Sequence, residues 1–315
     1  MMGARVGIFD ADIYGPSLPT MTSPATPVLE MDAVSKAITP CEYEGVKLVS
    51  FGFTGQGAAI MRGPMVSGVV NQLLTTTNWG ALDYLILDLP PGTGDIHLTL
   101  CQALPIAAAV VVTTPQQLAF VDVAKGVRMF ARLRVPCVAV VENMAFLEHA
   151  GAVLRPFGTG SGAAVCAQFG VPHLIELPID PLLSTAGDAG RPLVCSQPDG
   201  GVAQRFSDLG AALVQEVAKL KRVSPVRVHY DSDAKRIAVA FPDGRRLALH
   251  PAAVRRADER ARSEVERATA APVAEDIEPL EVALLGNYAL QISWPDGSQQ
   301  LAPLDSLERL AAAAL

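Results

Sequence analysis

The 315-residue sequence has no C-x-x-C pair: its five cysteines, Cys41, Cys101, Cys137, Cys166 and Cys195, are odd in number and widely scattered. Such a set argues against a secreted disulfide framework and for a reducing compartment, with Cys101 and Cys137 reading as small buried apolar residues. A basic cluster is missing too. The densest run, Arg255-Arg256 with Arg260 and Arg262, is interleaved with acids, and the net charge is −7. Neither nucleic acid nor an anionic membrane surface is therefore an expected partner. Apolar runs such as 103–112 (ALPIAAAVVV) are too short to span a bilayer and read as buried strands. The opening MMGARVGIFDAD carries neither a signal-peptide apolar region nor the Ser/Arg-rich character of a transit peptide.

What the chain does have is apolar material: half of its residues are hydrophobic and 18% are charged, enough for one good core and a second, smaller one. RVGIF (5–9), YLILDL (84–89), AAAVVVTT (107–114) and VPCVAVVEN (135–143) read as buried parallel strands. Residues 64–78 and 116–133 carry helical spacing between them, the second with Val123, Val127, Phe130 and Ala131 on one face. Another strand near 173–177 and a helix from about 200 to 221 follow. This alternation predicts an α/β fold, a mostly parallel sheet with helices on both faces. Near Val223 the character changes. Alternating stretches around Pro242-Asp243-Gly244 and again around Pro295-Asp296-Gly297 predict a small β-rich domain. The division expected is 1–222 and 223–315. The two PDG turns hint at an internal repeat, but their flanking residues match poorly.

Two strands end in acids. YLILDLPPGTGD (84–95) delivers Asp88 to the carboxyl end of a parallel strand, where α/β sheets bind ligands. An apolar strand closing on Asp suits a Walker-B acid that holds Mg²⁺ through water. Gly92 and Gly94 permit a backbone that approaches phosphate and then moves. FDADIYGPS (9–17) has the same design, bringing Asp10 and Asp12 to the same sheet edge. In a nucleotide-hydrolysing site one would hold the metal's water and the other orient the attacking water. The competing reading of all three is a helix-capping acid, although Tyr14-Gly15-Pro16 disfavours a helix start after Asp12.

FDADIYGPSLP, MRGPM (61–65), WGALDYLILDLPPGTGD (79–95), VVTTPQQLAFVDVAKGVRMF (111–130) and VPCVAVVENMAF (135–146) together resemble the Mrp/ApbC group of MinD-like deviant P-loop ATPases, which assemble and carry iron–sulfur clusters. The resemblance runs from about residue 3 to 221. It implies a P-loop NTPase fold in which Asp10 lies near Mg²⁺, Asp12 is the switch I acid positioning water, Asp88 is the Walker-B acid and PPGTGD is switch II. It also places Asn143 against the adenine and closes the Pro178-Ile179-Asp180 loop over the base. From the residues alone, Asn143 reads as a strand-ending turn residue. The cofactors implied are ATP and Mg²⁺, with a [4Fe-4S] cluster as cargo, a homodimer as the assembly and apo iron–sulfur proteins as partners.

The sequence departs from that family twice. No G-K-G-G-V-G-K-[ST] loop, whose amides and lysines cradle phosphates, occurs anywhere in it. A strand, loop and helix of roughly 30 residues would carry it. The expectation is a truncated gene model or fragment, weak ATP binding and a slot left open in the sheet; whether the chain is an enzyme depends on that loop. Second, the C-P-x-C motif that follows VENM in many members, holding a cluster between two subunits, is replaced by AFLEHAGAVLRPFGTGSG. Cys166 and Cys195 are the remaining cluster candidates, by their loop or helix-edge positions.

The C-terminal region, with GNYALQISWPDG its most recognisable string, resembles the N-terminal domain of gamma-butyrobetaine hydroxylases. No cysteine follows Cys195, and His229 and His250, alone in alternating strands, read as structural more often than as ligands. Such a domain after an Mrp-like ATPase, with PFGTGSG (156–162) and GVPHL (170–174), is similar to the plastid scaffolds of the high-chlorophyll-fluorescence type. The resemblance implies an ATP-dependent [4Fe-4S] scaffold or carrier in the chloroplast stroma, with the cytoplasm as the alternative. A MinD/ParA-like regulatory switch without a cluster, or a catalytically dead interaction module, are the competing functions.

Overall fold

The computed structural model describes residues 3–55, 63–222, 226–261 and 272–313; the start of MRGPM, the boundary near Val223 and most of the Arg/Glu/Ala stretch lie outside them. Along the chain come β1 (Val6–Asp10), α1 (Leu18–Met21), β2 (Glu30–Met31), β3 (Ile38–Thr39), β4 (Cys41–Tyr43), β5 (Val46–Ser50), α2 (Gly63–Thr76), β6 (Tyr84–Asp88) and α3 (Asp95–Ala103). Then follow β7 (Ala109–Thr113), α4 (Gln117–Arg132), β8 (Cys137–His149), β9 (Ala152–Leu154), α5 (Ser161–Phe169), β10 (His173–Pro178), α6 (Pro181–Asp188), α7 (Leu193–Ser196) and α8 (Gly201–Leu220). The C-terminal part holds β11 (Arg227–Asp231), β12 (Arg236–Ala240), β13 (Arg246–Leu249), α9 (Pro251–Ala261), β14 (Glu281–Leu285), β15 (Ala289–Ser293), β16 (Gln299–Pro303) and α10 (Leu304–Ala312).

By packing, the chain divides into one compact unit of residues 1–105 with 180–207, and a second of 106–179 with 208–315. In the first unit the sheet order is β4-β5-β1-β6, with β5, β1 and β6 parallel and β4 turned back on β5. Helix α2 supplies Val66, Val70, Leu73 and Leu74, spaced i, i+4, i+7 and i+8, to a core with Phe9, Val49, Phe51 and Leu100. That spacing is the one-sided apolar stripe that makes an amphipathic helix stable on a sheet.

The second unit starts with a parallel sheet of order β10-β8-β7. Helix α4 buries Ala124, Val127, Phe130 and Ala131, close to the face read from the sequence. The expected parallel strands thus form two sheets, each ending on an unpaired edge. Strand β6 is the edge of the first, with Ile86 46% exposed, and β7 that of the second, with Val112 62% exposed.

Strand β8 does not stop at Asn143 as the sequence suggests. Met144 takes a left-handed φ of 55°, and the strand resumes to His149 before pairing back on β9. The region that replaces the C-P-x-C motif is therefore a β-hairpin, turning through Ala150 and Gly151, both at positive φ, the signature of a tight two-residue turn.

The β-rich part is a repeat. β11-β12-β13-α9 and β14-β15-β16-α10 are each a three-stranded antiparallel meander followed by a helix. Equivalent positions are separated by a constant 297 − 244 = 53 residues, measured between the PDG glycines, both at positive φ. The same offset carries buried Ile237 onto Leu290, Val239 onto Ile292, Leu249 onto Ala302 and Val254 onto Leu307, all in one shared core. The halves also grip each other reciprocally. Arg255 of α9 donates to Asp296 in the second turn at 2.9 Å, and Arg245 in the first turn donates to Glu308 of α10 at 2.6 Å.

Tyr288 fastens this repeat to the parallel sheet of the same unit: its buried Oη accepts the backbone N–H of Cys137 at 3.0 Å. Burial pushes the phenol strongly up, so it stays protonated. Beside it Gly170 adopts φ 74°, and a Cβ there would stand 2.9 Å from Pro303. Only glycine satisfies both the turn and the close approach.

Candidate functional site

Parallel pairing places Ser50, Asp10 and Asp88 at one level across β5, β1 and β6, since Asp10 registers with both of the others. Neighbouring strands lie about 4.8 Å apart, so the carboxyl ends of three strands present one row of oxygens. Asp10 is buried, 1% exposed, and fully engaged. Its Oδ2 accepts the Ser50 hydroxyl at 3.0 Å and the Leu18 amide at 3.3 Å, and its Oδ1 accepts the Asp12 amide at 3.1 Å. Ser50 itself caps the short 3₁₀ turn at Phe51–Thr54 by accepting the Gly52 amide. Sequence reasoning missed Ser50, although VKLVS carries the same signal as VGIFD and YLILD: an apolar strand closing on a polar residue.

Asp12 sits one step further along the chain. Its Oδ1 accepts the amides of Tyr14 at 3.1 Å and Gly15 at 3.0 Å. This Asx turn holds the carboxylate's direction and stops the chain from entering a helix at once. The capping reading is thus partly right, but the group capped is a turn. With Oδ1 committed to two amides, Oδ2 is the oxygen without a hydrogen-bond partner among the described residues and so the one placed to orient a water or a nucleophile.

Asp88 is held up from the ordinary carboxylate range, first by burial of its surroundings and then by the negative charges of Asp10 and Asp12. The three acids are therefore electrostatically coupled. A divalent cation would relieve that repulsion, and hard oxygen donors are the set that Mg²⁺ takes. Among these acids Asp88 keeps solvent contact and is the one open to such an ion, and Asp10, whose oxygens already accept three hydrogen bonds, would hold it only beside those partners. The phosphate-cradling loop has no counterpart in the sequence.

A stability test follows from the sign of the Asp88 shift. A carboxyl raised in the folded state stabilises the fold below its unfolded pKa, and that contribution is lost as pH rises through the folded value. At neutral pH Asp88→Asn should therefore raise the melting temperature by about 2 °C, a small gain because the side chain keeps solvent contact. The gain should vanish toward pH 3. Equal melting of both proteins at pH 7.5 would show that the acids do not repel.

Past Asp88 the backbone makes the expected turn. Gly92 stands at φ 92°, which favours glycine, whereas Gly94, at φ −80°, is extended and leads into α3. Asp180, of the same unit, caps α6 by accepting the Leu182 amide at 2.8 Å.

Asn143 and Pro178 belong to the second unit. They lie on adjoining strands around the irregularity where Pro178 pairs with Phe146, and Asn143 Oδ1 accepts the Met144 amide at 3.0 Å. Asn143 is thus a bulge residue inside a strand, and not a strand-ending turn. The nearby PFGTGSG loop leads into α5, whose Gly162 amide donates to the buried Glu142 carboxylate at 2.7 Å. An internal anion already occupies that helix start.

The cysteines are spread over both units. Cys166, in the second, donates to the His173 carbonyl at 3.7 Å and is pushed up to about 11 by burial and by Glu142. Cys195, in the first, is raised by burial and by Glu44. Cys41 and Cys101 are raised by burial, and Cys137 is pushed up to about 12 by the same cause. Among the described residues, no group of three or more His, Cys, Asp or Glu is placed to hold a metal ion. His229 pairs through its backbone with Ala238 of β12, and His250 Nδ1 accepts the Ala252 amide, a structural role. No described helix is long and apolar enough to cross a membrane.

Comparison with known proteins decides the family. Residues 1–214 match the family described as ParA: NUBPL iron-transfer P-loop NTPase. The chain belongs to this family. Residues 228–303 match the gamma-butyrobetaine hydroxylase-like N-terminal domain, the part built as a 53-residue repeat. Over 98% of its length the chain is 59% identical to proteins of Oryza sativa subsp. japonica and Arabidopsis thaliana named Fe-S cluster assembly factor HCF101, chloroplastic. It covers 59% of each of those relatives, about three fifths of their length. An iron-sulfur cluster carrier protein of Pseudomonas fragi is 44% identical over 66% of the chain and 74% of its own length. Among solved structures, a nucleotide-binding protein from Archaeoglobus fulgidus in complex with ADP superposes with a TM-score of 0.52 at 33% identity. That match covers 60% of this chain and 75% of the other. The MinD-like fold read from the switch strings is therefore the fold of this NTPase family, followed by the β-rich domain.

Proposed function

We propose that this NTPase-family chain belongs to an ATP-dependent scaffold that carries [4Fe-4S] clusters to apo iron–sulfur proteins. The observation that carries the reading is the 59% identity, over 98% of the chain, to plant proteins named Fe-S cluster assembly factors. The coupled row of Asp10, Asp12 and Asp88 supports a nucleotide switch on the same chain. In this reading Asp10 and Asp88 hold Mg²⁺, Asp12 directs water, and Gly92 and Gly94 let switch II move with nucleotide state. The protein acts as a homodimer in the chloroplast stroma, in line with the chloroplastic relatives.

Cluster transfer needs thiolates, and every cysteine of the chain is held toward its protonated form. Cys166 and Cys195 therefore become ligands when iron itself, or a second subunit, supplies the compensating positive charge. Protonated thiols also favour the second reading, a MinD/ParA-like switch that carries no cluster.

Anaerobic reconstitution with iron and sulfide, on a form that includes a phosphate-binding loop ahead of β1, separates the two. The expected result is the broad [4Fe-4S] charge-transfer absorbance and its passage to an apo-ferredoxin. Cys166→Ser and Cys195→Ser should each cut cluster loading at least in half, by roughly 50% or more if thiolate ligation governs retention. A protein that takes up no cluster, yet still hydrolyses ATP, would move the assignment to the second reading.

A further inference from the structure

A cleft of ≈ 500 Å³ opens in the second unit, walled on one side by α4 and α5 and on the other by β16, α9 and α10. The volume is that of a small-molecule site, for which about 300–1,000 Å³ is usual. None of the switch residues lines it.

Two guanidiniums reach this cleft from one face of α4. Arg128 and Arg132 are four residues apart, so their Cβ atoms stand about 5–6 Å from each other. Neither is in an ion pair among the described residues, whereas Arg134, Arg155, Arg245 and Arg255 of the same unit all face carboxylates. Arg128 lies with its guanidinium carbon 5.6 Å from the centre of the Phe169 ring. A guanidinium over a ring face is held there by cation–π attraction, and its N–H donors remain for a ligand.

The opposite wall adds neutral polar groups. Gln299 accepts from the Gln291 amide at 3.1 Å, which turns its own NH₂ away from that bond. Ser306 Oγ accepts from Arg309 at 3.0 Å, so its hydroxyl hydrogen remains to be donated. Asp258 is the acid on the lining and is engaged in another interaction. Donors thus outnumber acceptors around the space, in a chain whose net charge is −7.

We propose that this cleft is a ligand site for a small molecule bearing two oxyanion groups, carboxylates or phosphates, each held by one arginine. Planar carboxylate and phosphate oxygens match the fork of a guanidinium, and a pair of forks one helical turn apart selects a doubly charged ligand over a singly charged one. The site is independent of the switch row and of the cluster reading.

Isothermal titration of the chain with citrate in one arm and pyrophosphate in the other tests the proposal and distinguishes carboxylate from phosphate. At least one should bind with 1:1 stoichiometry and a Kd below about 1 mM, while acetate should not saturate. Exposed Arg132→Gln should weaken that binding at least tenfold, and the Arg128→Gln/Arg132→Gln pair should abolish it, with circular dichroism melts confirming folding. Should the double variant fail to fold through loss of the Phe169 stack, Arg132→Gln alone decides. The proposal is overturned if neither anion binds up to about 10 mM, if Arg132→Gln leaves affinity unchanged, or if only a glutamate-rich peptide binds.

Discussion

Asp12→Asn, made in a form of the protein that carries the phosphate-binding loop ahead of β1, should lower ATP turnover by about 10²-fold while nucleotide affinity changes little. The asymmetry follows from how the side chain is held. Asp12 Oδ1 accepts two backbone amides, from Tyr14 and Gly15, and the asparagine carbonyl can keep both. The turn therefore survives, and with it the path of the chain toward α1. The substitution removes negative charge at Oδ2, the oxygen available to orient an attacking water. Steady-state phosphate release alongside equilibrium binding of a fluorescent nucleotide reads both quantities. Turnover unchanged within a factor of about two would take Asp12 out of the reaction. A matched loss of affinity and turnover would instead mean that the turn itself had collapsed.

The largest effect on stability is expected in the C-terminal repeat. Trp294 is fully buried, its indole N–H donates to Gln300 at 3.0 Å, and Gln300 in turn donates to the Val254 carbonyl of α9 at 2.7 Å. Arg255, 6% exposed, lies over the ring at 5.4 Å. Trp294→Ala opens a cavity, strands the Gln300 carbonyl and removes the surface on which a buried cation rests. A loss of about 3–5 kcal/mol is expected from the cavity alone. Trp294→Phe keeps most of the packing and should cost about 1–2 kcal/mol, largely for the unmade hydrogen bond. The sequence has one other tryptophan, Trp79, which lies in the first unit. In urea titration of Trp294→Ala, Trp79 fluorescence follows the first unit alone while far-ultraviolet circular dichroism follows both, so a circular-dichroism transition at lower urea than the fluorescence one isolates the loss in the second. A Trp294→Ala loss below about 1 kcal/mol would contradict the view that this ring anchors the shared core.

The strands that carry Asp10 and Asp88 were legible because each is an apolar run closing on Asp, a pattern that survives without tertiary information. Ser50 has the same placement but a neutral side chain, and a serine after a valine run says little until pairing sets it beside Asp10. The continuation of β8 past Asn143 was hidden by one residue: Met144 at positive φ interrupts the alternation, and nothing in a methionine advertises that backbone state. Likewise the β8–β9 turn uses Ala150 where asparagine or glycine would have signalled a hairpin. The internal repeat was visible only as two PDG strings. Its equivalence rests on burial, Ile237 with Leu290 and Val254 with Leu307, and apolar residues exchange freely where volume and pattern are kept.

The crossed pairs Arg255–Asp296 and Arg245–Glu308 give that repeat the logic of a two-fold assembly. A patch on one copy meets the corresponding patch on the other, as in an isologous dimer, but both copies sit on one covalent chain. Each copy finds its partner at the fixed effective concentration set by the connection, whatever the abundance of the protein. Association, elsewhere a matter of mass action, has here become a property of folding.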